Sequence, residues 1–256
     1  MGTYNTFSRV TGKSYPFIID GDTPTQTEMA RITQILAQEE DVPFASIAIN
    51  DFEQLFSHLV ALTEDFKNYK LPLTIFGVGM ALERNLEICK EMKNSNYEIA
   101  SHGWRWIDYQ KISKSIEKKH MTKAIKSIKK IFGKRPVGWY TGRCSPNTLG
   151  LVIDEGGFLY CSDTYSDDLP YWIKKGNKKQ LMVPYTLDNN DMRFATNQGF
   201  NSGEQFYNYL KDSFDALYEE GKTSPKMMSV GLHCRLIGRP GRIQSLKKFL
   251  NYVLKF

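Results

Sequence analysis

The residues best suited to chemistry in this sequence surround His102, in the segment IASHGWRWIDY at residues 99–109. His102 follows a short apolar run, where a strand is expected to end and a loop to begin. Trp104, Trp106, an arginine and an aspartate stand close by. Such groups are costly to bury without partners, and α/β folds keep their chemistry at the C-terminal ends of strands. The segment predicts a site, with a packed aromatic loop around one satisfied histidine as an equal alternative.

Polar residues follow further predicted strands in the same way. They are Arg143 after the third strand, Asp163, Asp167 and Asp168 after the fourth, Asp188, Asp191 and Arg193 after the fifth, and His233 and Arg235 after the sixth. Five clusters at the same end of successive strands predict an active site at that edge. We expect His233 to be its acid/base, because the ordinary histidine pKa lies near neutrality.

Several of these residues have structural alternatives. Arg143 either binds substrate or ties its loop to a carboxylate. Asp167 and Asp168 either take part in catalysis or cap the turn before Pro170, as aspartates often do. The arginines of residues 235–242 either hold an anionic or carbonyl-rich ligand or belong to a loop leading into a helix. The residues alone leave these alternatives open.

The elements that must position these side chains alternate along the chain. Strands are predicted at residues 71–78, 97–101, 137–141, 158–162, 181–187 and 227–233. Helices are predicted at about 80–93, 111–131, 146–155, 203–220 and 240–254. This alternation indicates parallel β/α units, as a barrel or a doubly wound sheet, in one domain. Before them, helices are predicted at 27–40 and 51–69, and the first strand at either 16–19 or 44–49.

Composition narrows the classes of function. The 256 residues are 41% hydrophobic, and no apolar run approaches about 18 residues, which predicts no transmembrane helix. No secretion signal is visible, and four cysteines without C-x-x-C spacing suit a reducing, cytoplasmic setting. Much of the net charge of +6 lies in residues 111–135, whose lysines are expected on a solvated helix face rather than a phosphate-binding one. We expect no nucleic-acid and no membrane partner.

With these residues assembled, the chain resembles the polysaccharide deacetylase superfamily, and within it the metal-independent allantoinases. The resemblance covers about residues 71–253. Its motifs are IASHGxRWIDY, GWYTGRxSPNT, DDLPYW, PYTLDxNDMRF and GLHCRLxGRPGR. It implies a distorted (β/α) barrel of about seven strands and hydrolysis of a cyclic amide, allantoin to allantoate, as in purine catabolism. N-deacetylation of an acetylated sugar or polysaccharide is the alternative.

The resemblance also indicates whether this chain has the zinc site of the family. The usual deacetylases hold zinc with an early aspartate and two histidines at i and i+4. Here His102 fills the first histidine position, but the i+4 residue is Trp106, which offers only an N–H donor. A catalytic zinc takes about three protein ligands. We expect no metal and no cofactor, with a small cyclic amide as the binding partner.

By analogy with the family, His233 is the acid/base, Asp168 or Asp167 orients it, and His102 hydrogen-bonds or relays a proton. Arg143 positions the substrate, and Trp106 packs on its flat ring. The predicted substrate-binding set also includes Trp104, Asp191 and Arg235.

The ends of the chain depart from the family pattern. The early acidic motif is missing, so Asp20 and Asp22 are the candidate early carboxylates. We expect residues 1–70 to form an atypical segment that packs on the barrel of residues 71–256. Because the family continues into another strand and helix, the barrel is expected to be incomplete at its C-terminal end. An exposed strand edge is usually covered, which predicts a homo-oligomer; a truncated, non-catalytic relative is a further alternative.

Overall fold

The computed structural model describes residues 2–7, 14–19, 64 and 66–256. The chain separates into two units, Met1–Glu53 and Gln54–Phe256. In the first unit, β1 (Gly2–Phe7) pairs antiparallel with β2 (Ser14–Ile19). The predicted strand at 16–19 therefore exists, as part of β2. The predicted strand at 44–49, the helix at 27–40 and both early aspartates lie outside the described residues.

The second unit contains a sheet of six strands. They are β3 (Thr74–Gly77), β4 (Glu98–Ser101), β5 (Gly138–Trp139), β6 (Tyr160–Cys161), β7 (Tyr171–Lys175) and β8 (Lys178–Met182). Their order is β3-β4-β5-β6-β8-β7, and all neighbours are parallel except β7 and β8. This confirms the predicted α/β class with a mainly parallel sheet. Closure of the sheet into a barrel stays a prediction.

Helices connect the parallel strands β3 to β6, and three more follow the last strand. The connecting helices are α1 (Gly79–Arg84), α2 (Leu86–Asn94), α3 (Lys114–Phe132) and α4 (Thr148–Glu155); those after β8 are α5 (Gly203–Glu220), α6 (Cys234–Ile237) and α7 (Pro240–Val253). Their ends follow from capping residues. The Ser113 hydroxyl accepts the Ile116 N–H at the start of α3, and Gly133 ends that helix at φ 79°. The predicted helices after residue 71 match these bounds closely, with the 80–93 stretch divided at Asn85.

The sequence prediction did not include the hairpin of β7 and β8. Both strands carry exposed lysines, Lys174 and Lys175 in β7 and Lys178 and Lys179 in β8, which interrupt the apolar alternation that marks a half-buried strand. Gly176, at φ 58°, supplies the left-handed turn residue that a tight hairpin requires. Lysines on this edge also discourage pairing with another chain.

Two predicted strands differ from the structure. The strand predicted at 181–187 ends at Met182, and Pro184 two residues later has no N–H to continue the ladder. The segment predicted at 227–233 contributes only a parallel bridge from Gly231 to Asn190, because its neighbour there is a short 3₁₀ segment, Asp191–Ala195, rather than a strand.

The core of the second unit lies where the helices cover the sheet. Trp139, Cys161 and Met182 pack with Val152 of α4. A second cluster joins Phe206 and Leu210 of α5 to residues of α7 and to Ile237. These apolar positions recur at helical spacing, so each helix buries one stripe. In the part of the chain that the structure describes, no helix is long and apolar enough to cross a membrane.

Candidate active site

Polar side chains gather at the C-terminal edge of the parallel sheet. His102 directly follows β4, Tyr140 directly follows β5, and Asp163 lies two residues beyond β6. The sheet is parallel through these strands, so their ends open on the same side. The fold thereby brings together residues that are up to 61 positions apart, from 102 to 163, in the sequence.

His102 is fixed through one ring nitrogen. Its Nδ1 lies 2.9 Å from the Tyr140 carbonyl oxygen. A carbonyl only accepts, so Nδ1 carries the proton and Nε2 keeps a lone pair. Burial lowers the pKa of His102 to about 4; the Tyr140 carbonyl opposes this shift, and the nearby His233 adds to it. His102 is therefore a neutral acceptor at physiological pH.

A column of aromatic rings extends from His102. The Tyr140 ring stacks on His102 at 5.2 Å between centroids and on Tyr185 at 4.5 Å. The Tyr185 hydroxyl accepts the Asn190 side-chain N–H at 2.8 Å, and the Tyr140 and Tyr165 hydroxyls lie 3.0 Å apart. Burial raises the pKa of Tyr140 and of Tyr185, which keeps both as neutral hydroxyls. The column leads from His102 to Asn190, the neighbour of Asp191.

His233 is held by Asp191. The His233 Nδ1 lies 2.7 Å from Asp191 Oδ1, while Asp191 Oδ2 accepts the backbone N–H groups of His233 and Ile237 at 2.7 and 3.1 Å. The Asp191 side chain is fully buried and that of His233 is 31% exposed. A buried carboxylate with three donors is a rigid acceptor. It fixes Nδ1 as the protonated nitrogen and leaves Nε2 of His233 for proton transfer.

The loop that carries Arg143 is anchored by Asp163. The Asp163 carboxylate accepts the N–H groups of Thr141 and Gly142, at 2.9 and 2.8 Å, and the Thr141 hydroxyl at 2.9 Å. Burial raises the pKa of Asp163, and these hydrogen bonds oppose that rise. Gly142 adopts φ 68°, a left-handed conformation that glycine tolerates best. The turn at Gly142 directs the chain into Arg143.

Arg143 lies over Trp106, with its guanidinium carbon 4.2 Å from the ring centroid. The Arg143 carbonyl also accepts the Tyr109 N–H at 3.1 Å, which ties its loop to the segment after His102. Trp104 is placed differently: it packs against Gly79 of α1 and lies beneath the Lys123 ammonium. Trp106 and Arg143 thus form a unit, and Trp104 belongs to the packing between helices.

The predicted orienting pair, Asp167 and Asp168, is exposed, and the structure gives the His233 contact to Asp191 instead. Asp167 accepts the N–H groups of Asp168 and Leu169, which is the turn-capping alternative. Arg235, also exposed, is the second residue of α6, which His233 precedes as the N-cap residue.

Sequence reasoning did not single out the carboxylate-to-histidine pairing of Asp191, the tyrosine column or the anchoring role of Asp163. A signal existed for each, because Asp163 and Asp191 follow predicted strands, and Tyr140 and Tyr185 lie near the C-terminal ends of predicted strands. Pairing between them depends on which strand ends lie side by side, and spacing along the chain does not contain that information.

A metal centre needs several ligands that converge on one point. Among residues 64 and 66–256, no three histidine, cysteine, aspartate or glutamate side chains are grouped closely enough to hold a metal ion. The i+4 position from His102 holds Trp106, whose ring faces a cationic guanidinium. Within the described residues, the donor set at this position does not fit zinc.

Comparisons with known proteins agree on one family. The polysaccharide deacetylase family model matches residues 55–149. The structure of a probable polysaccharide deacetylase from Pseudomonas aeruginosa PAO1 is 55% identical, with a TM-score of 0.76, over 78% of this chain and 67% of that one. The structure of Puue allantoinase is 48% identical, with a TM-score of 0.76, over 82% of this chain and 71% of that one.

A Schizosaccharomyces pombe protein that carries the name of a polysaccharide deacetylase is 42% identical to this chain over 205 residues. The match covers 73% of this chain and 64% of the fission-yeast protein. The chain thus spans slightly less than two thirds of that relative's length.

Proposed function

This chain belongs to the polysaccharide deacetylase superfamily, in the branch that includes Puue allantoinase, and we propose that it hydrolyses a cyclic amide, converting allantoin to allantoate. One observation carries the proposal: two histidines at the C-terminal edge of the sheet each have Nδ1 bound to an acceptor. Each therefore offers Nε2, and one is backed by a buried carboxylate. This arrangement suits acid/base hydrolysis of an amide.

We propose that the reaction proceeds without a metal. The superfamily's zinc site requires a second histidine where this chain has Trp106. Arg143, which lies against that ring, adds a positive charge beside the position that the second histidine would occupy. Water would instead be activated by side chains alone.

In the proposed mechanism, the neutral His102 accepts a hydrogen bond from the attacking water through Nε2. His233 removes the water proton, and the imidazolium that forms is stabilised by Asp191. The oxygen attacks the ring carbonyl, which Arg143 binds and positions in the ground state as well as in the transition state. His233 then returns its proton to the departing ring nitrogen as the C–N bond breaks. The exposed part of Trp106 provides a flat surface for the planar ring.

The second candidate is N-deacetylation of an acetylated sugar. It is favoured by the names of the Pseudomonas and fission-yeast relatives and uses the same histidines. A non-catalytic relative is the third candidate. The neutral tyrosines and the stacked Arg143–Trp106 unit suit a flat ureide ring. They therefore favour hydrolysis of allantoin over N-deacetylation of a sugar and over a non-catalytic role.

The test is hydrolysis of allantoin by the purified chain, with and without a strong chelator, beside hydrolysis of N-acetylglucosamine oligomers. We expect chelator-resistant allantoate formation. His233→Ala should lower kcat by roughly 10²- to 10⁴-fold, the range for loss of a general acid/base. His120→Gln is the matched control, because the His120 ring contacts the Tyr109 hydroxyl outside the histidine pair. Turnover of the sugar alone, or of neither substrate by folded protein, contradicts the proposal.

A further inference from the structure

A buried carboxylate outside the histidine pair lies behind the Arg143 loop. Glu117, in the first turn of α3, is only 2% exposed. Buried glutamates are rare unless a cation pairs with them, yet none of the ion pairs found in residues 64 and 66–256 includes Glu117. Its burial therefore needs another explanation.

Two hydroxyl groups satisfy Glu117. Ser145 donates to Oε2 at 2.6 Å, and Thr148 donates to Oε1. The same two hydroxyl oxygens accept backbone N–H groups, Ser145 from Asn147 at 2.9 Å and Thr148 from Ser145 at 2.8 Å. A hydroxyl has one proton, so each directs it at Glu117. The carboxylate therefore fixes the orientation of both side chains and the shape of the turn at residues 145–148.

This turn is the second half of the loop that carries Arg143. Asp163 anchors the first half, at Thr141 and Gly142, and the Arg143 carbonyl accepts the Tyr109 N–H between them. Arg143 therefore lies between two carboxylate anchors from different parts of the fold, the half-buried Asp163 and the buried Glu117. The position of its guanidinium on Trp106 depends on both ends of the loop.

The need for a directional anchor explains the choice of a carboxylate. Apolar side chains of similar size would join α3 to α4 without the desolvation cost of a buried charge. Apolar packing would not favour one arrangement of the 145–148 turn over another, because it has no fixed direction. The hydrogen bonds to Glu117 have a fixed direction and therefore favour a single arrangement of the turn.

We propose that Glu117 is a positioning residue, which holds Arg143 in its substrate-binding place through the turn at residues 145–148. The proposal rests on the proposed hydrolase function, in which Arg143 contacts the substrate. Glu117 itself does not contact the substrate; it acts on substrate binding only through this turn.

The first experiment replaces Glu117 by glutamine, which keeps the volume but offers an N–H₂ group where one hydroxyl needs an acceptor. We expect the KM for allantoin to rise about tenfold, the loss produced by one displaced hydrogen bond to a charged group, with kcat changed less. Glu155→Gln is the matched control: it removes a carboxylate from α4 whose partner is the surface residue Arg135. Its KM should stay that of the wild type.

A double-mutant cycle separates positioning from general destabilisation. If Glu117 acts through Arg143, Glu117→Gln should have little further effect on KM in an Arg143→Ala background. Additive effects would overturn the proposal. Should Glu117→Gln not fold, Ser145→Ala removes a single donor and should give a smaller rise of the same kind; an unchanged KM there overturns the proposal.

Amide hydrogen exchange gives a readout that does not depend on allantoin. In Glu117→Gln, the amides of residues 143–145, 147 and 148 should exchange faster, while those of α5 exchange as in the wild type; residue 146 is proline and has no amide hydrogen. Absent allantoin turnover with this exchange pattern means that the proposed function fails and the positioning role stands. Unchanged exchange at residues 143–148 means that the positioning role is wrong.

Discussion

The two site histidines differ in the charge of the group that holds Nδ1. A neutral carbonyl holds His102, whereas the buried Asp191 carboxylate holds His233. A positive charge formed on His233 is compensated at 2.7 Å, but one formed on His102 faces only a neutral dipole. This contrast is the reason that the proposed mechanism gives proton transfer to His233 and water orientation to His102.

Replacing Asp191 by asparagine tests that assignment. The amide offers one acceptor oxygen where the carboxylate offers two for three donors, and its N–H₂ group faces donors. We expect kcat for allantoin to fall by roughly 10²- to 10⁴-fold with little change in KM, measured by steady-state kinetics. Asp168→Asn is the matched control because Asp168 is exposed, and its kcat should equal that of the wild type. A kcat lowered by Asp168→Asn and not by Asp191→Asn would reverse the roles of these aspartates.

At the scale of elements, the loop after β5 determines how well the site is ordered. Gly142 turns it at φ 68°, and a Cβ added there would lie 2.9 Å from the Tyr140 hydroxyl. Gly133 has a similar φ of 79°, yet a Cβ there would meet nothing within 4 Å. Comparing alanine variants at Gly142 and Gly133 therefore separates the effect of crowding, present only at Gly142, from the effect of the left-handed conformation, present at both.

Gly133→Ala should lower the free energy of unfolding by about 1–2 kcal/mol, the cost of an L residue in the left-handed region. Gly142→Ala should lower it further, because the Tyr140 ring must move as well, and should reduce kcat/KM for allantoin. Denaturant unfolding and steady-state kinetics measure the two effects. Equal losses of stability with unchanged activity would mean that the loop accommodates the methyl group.

The elements themselves were largely predictable, for reasons visible in particular residues. Helix α5 occupies the predicted residues 203–220 because its apolar stripe has helical spacing and Ser202 caps it. The β7–β8 hairpin was missed because its lysine-rich strands carry no such pattern. The segment at 227–233 has strand-like residues, but the neighbouring Asn190 offers it a single bridge.

At the scale of the whole molecule, burial of His102 makes folding depend on pH. The pKa of His102 is about 4 in the folded protein, against an ordinary value of 6.5. As the pH falls below 6.5, the unfolded chain therefore takes up a proton that the folded protein refuses. Stability is lost between pH 6.5 and 4, and this group adds no further loss below pH 4.

We expect the free energy of unfolding to fall by roughly 3 kcal/mol over that interval on account of His102. In His102→Asn, this contribution should be absent, so the difference in stability between wild type and variant should shrink as the pH falls from 7 to 4. Exposed carboxylates titrate alike in both proteins and cancel in the difference. Denaturant unfolding across the pH range gives the measurement; parallel curves would show that His102 ionises normally in the folded state.

The sequence by itself determined the superfamily, the alternation of strands and helices, and the edge of the sheet at which the candidate site lies. These depend on local residue types and on motifs that are contiguous in the chain. Only the tertiary structure decided that Asp191 holds His233, that Tyr140 and Tyr185 connect His102 to Asn190, and that Asp163 and Glu117 anchor the loop of Arg143. Such pairings depend on which strand ends and helix turns lie side by side, and a hydrogen bond forms only within about 3 Å. Sequence spacing does not specify that distance.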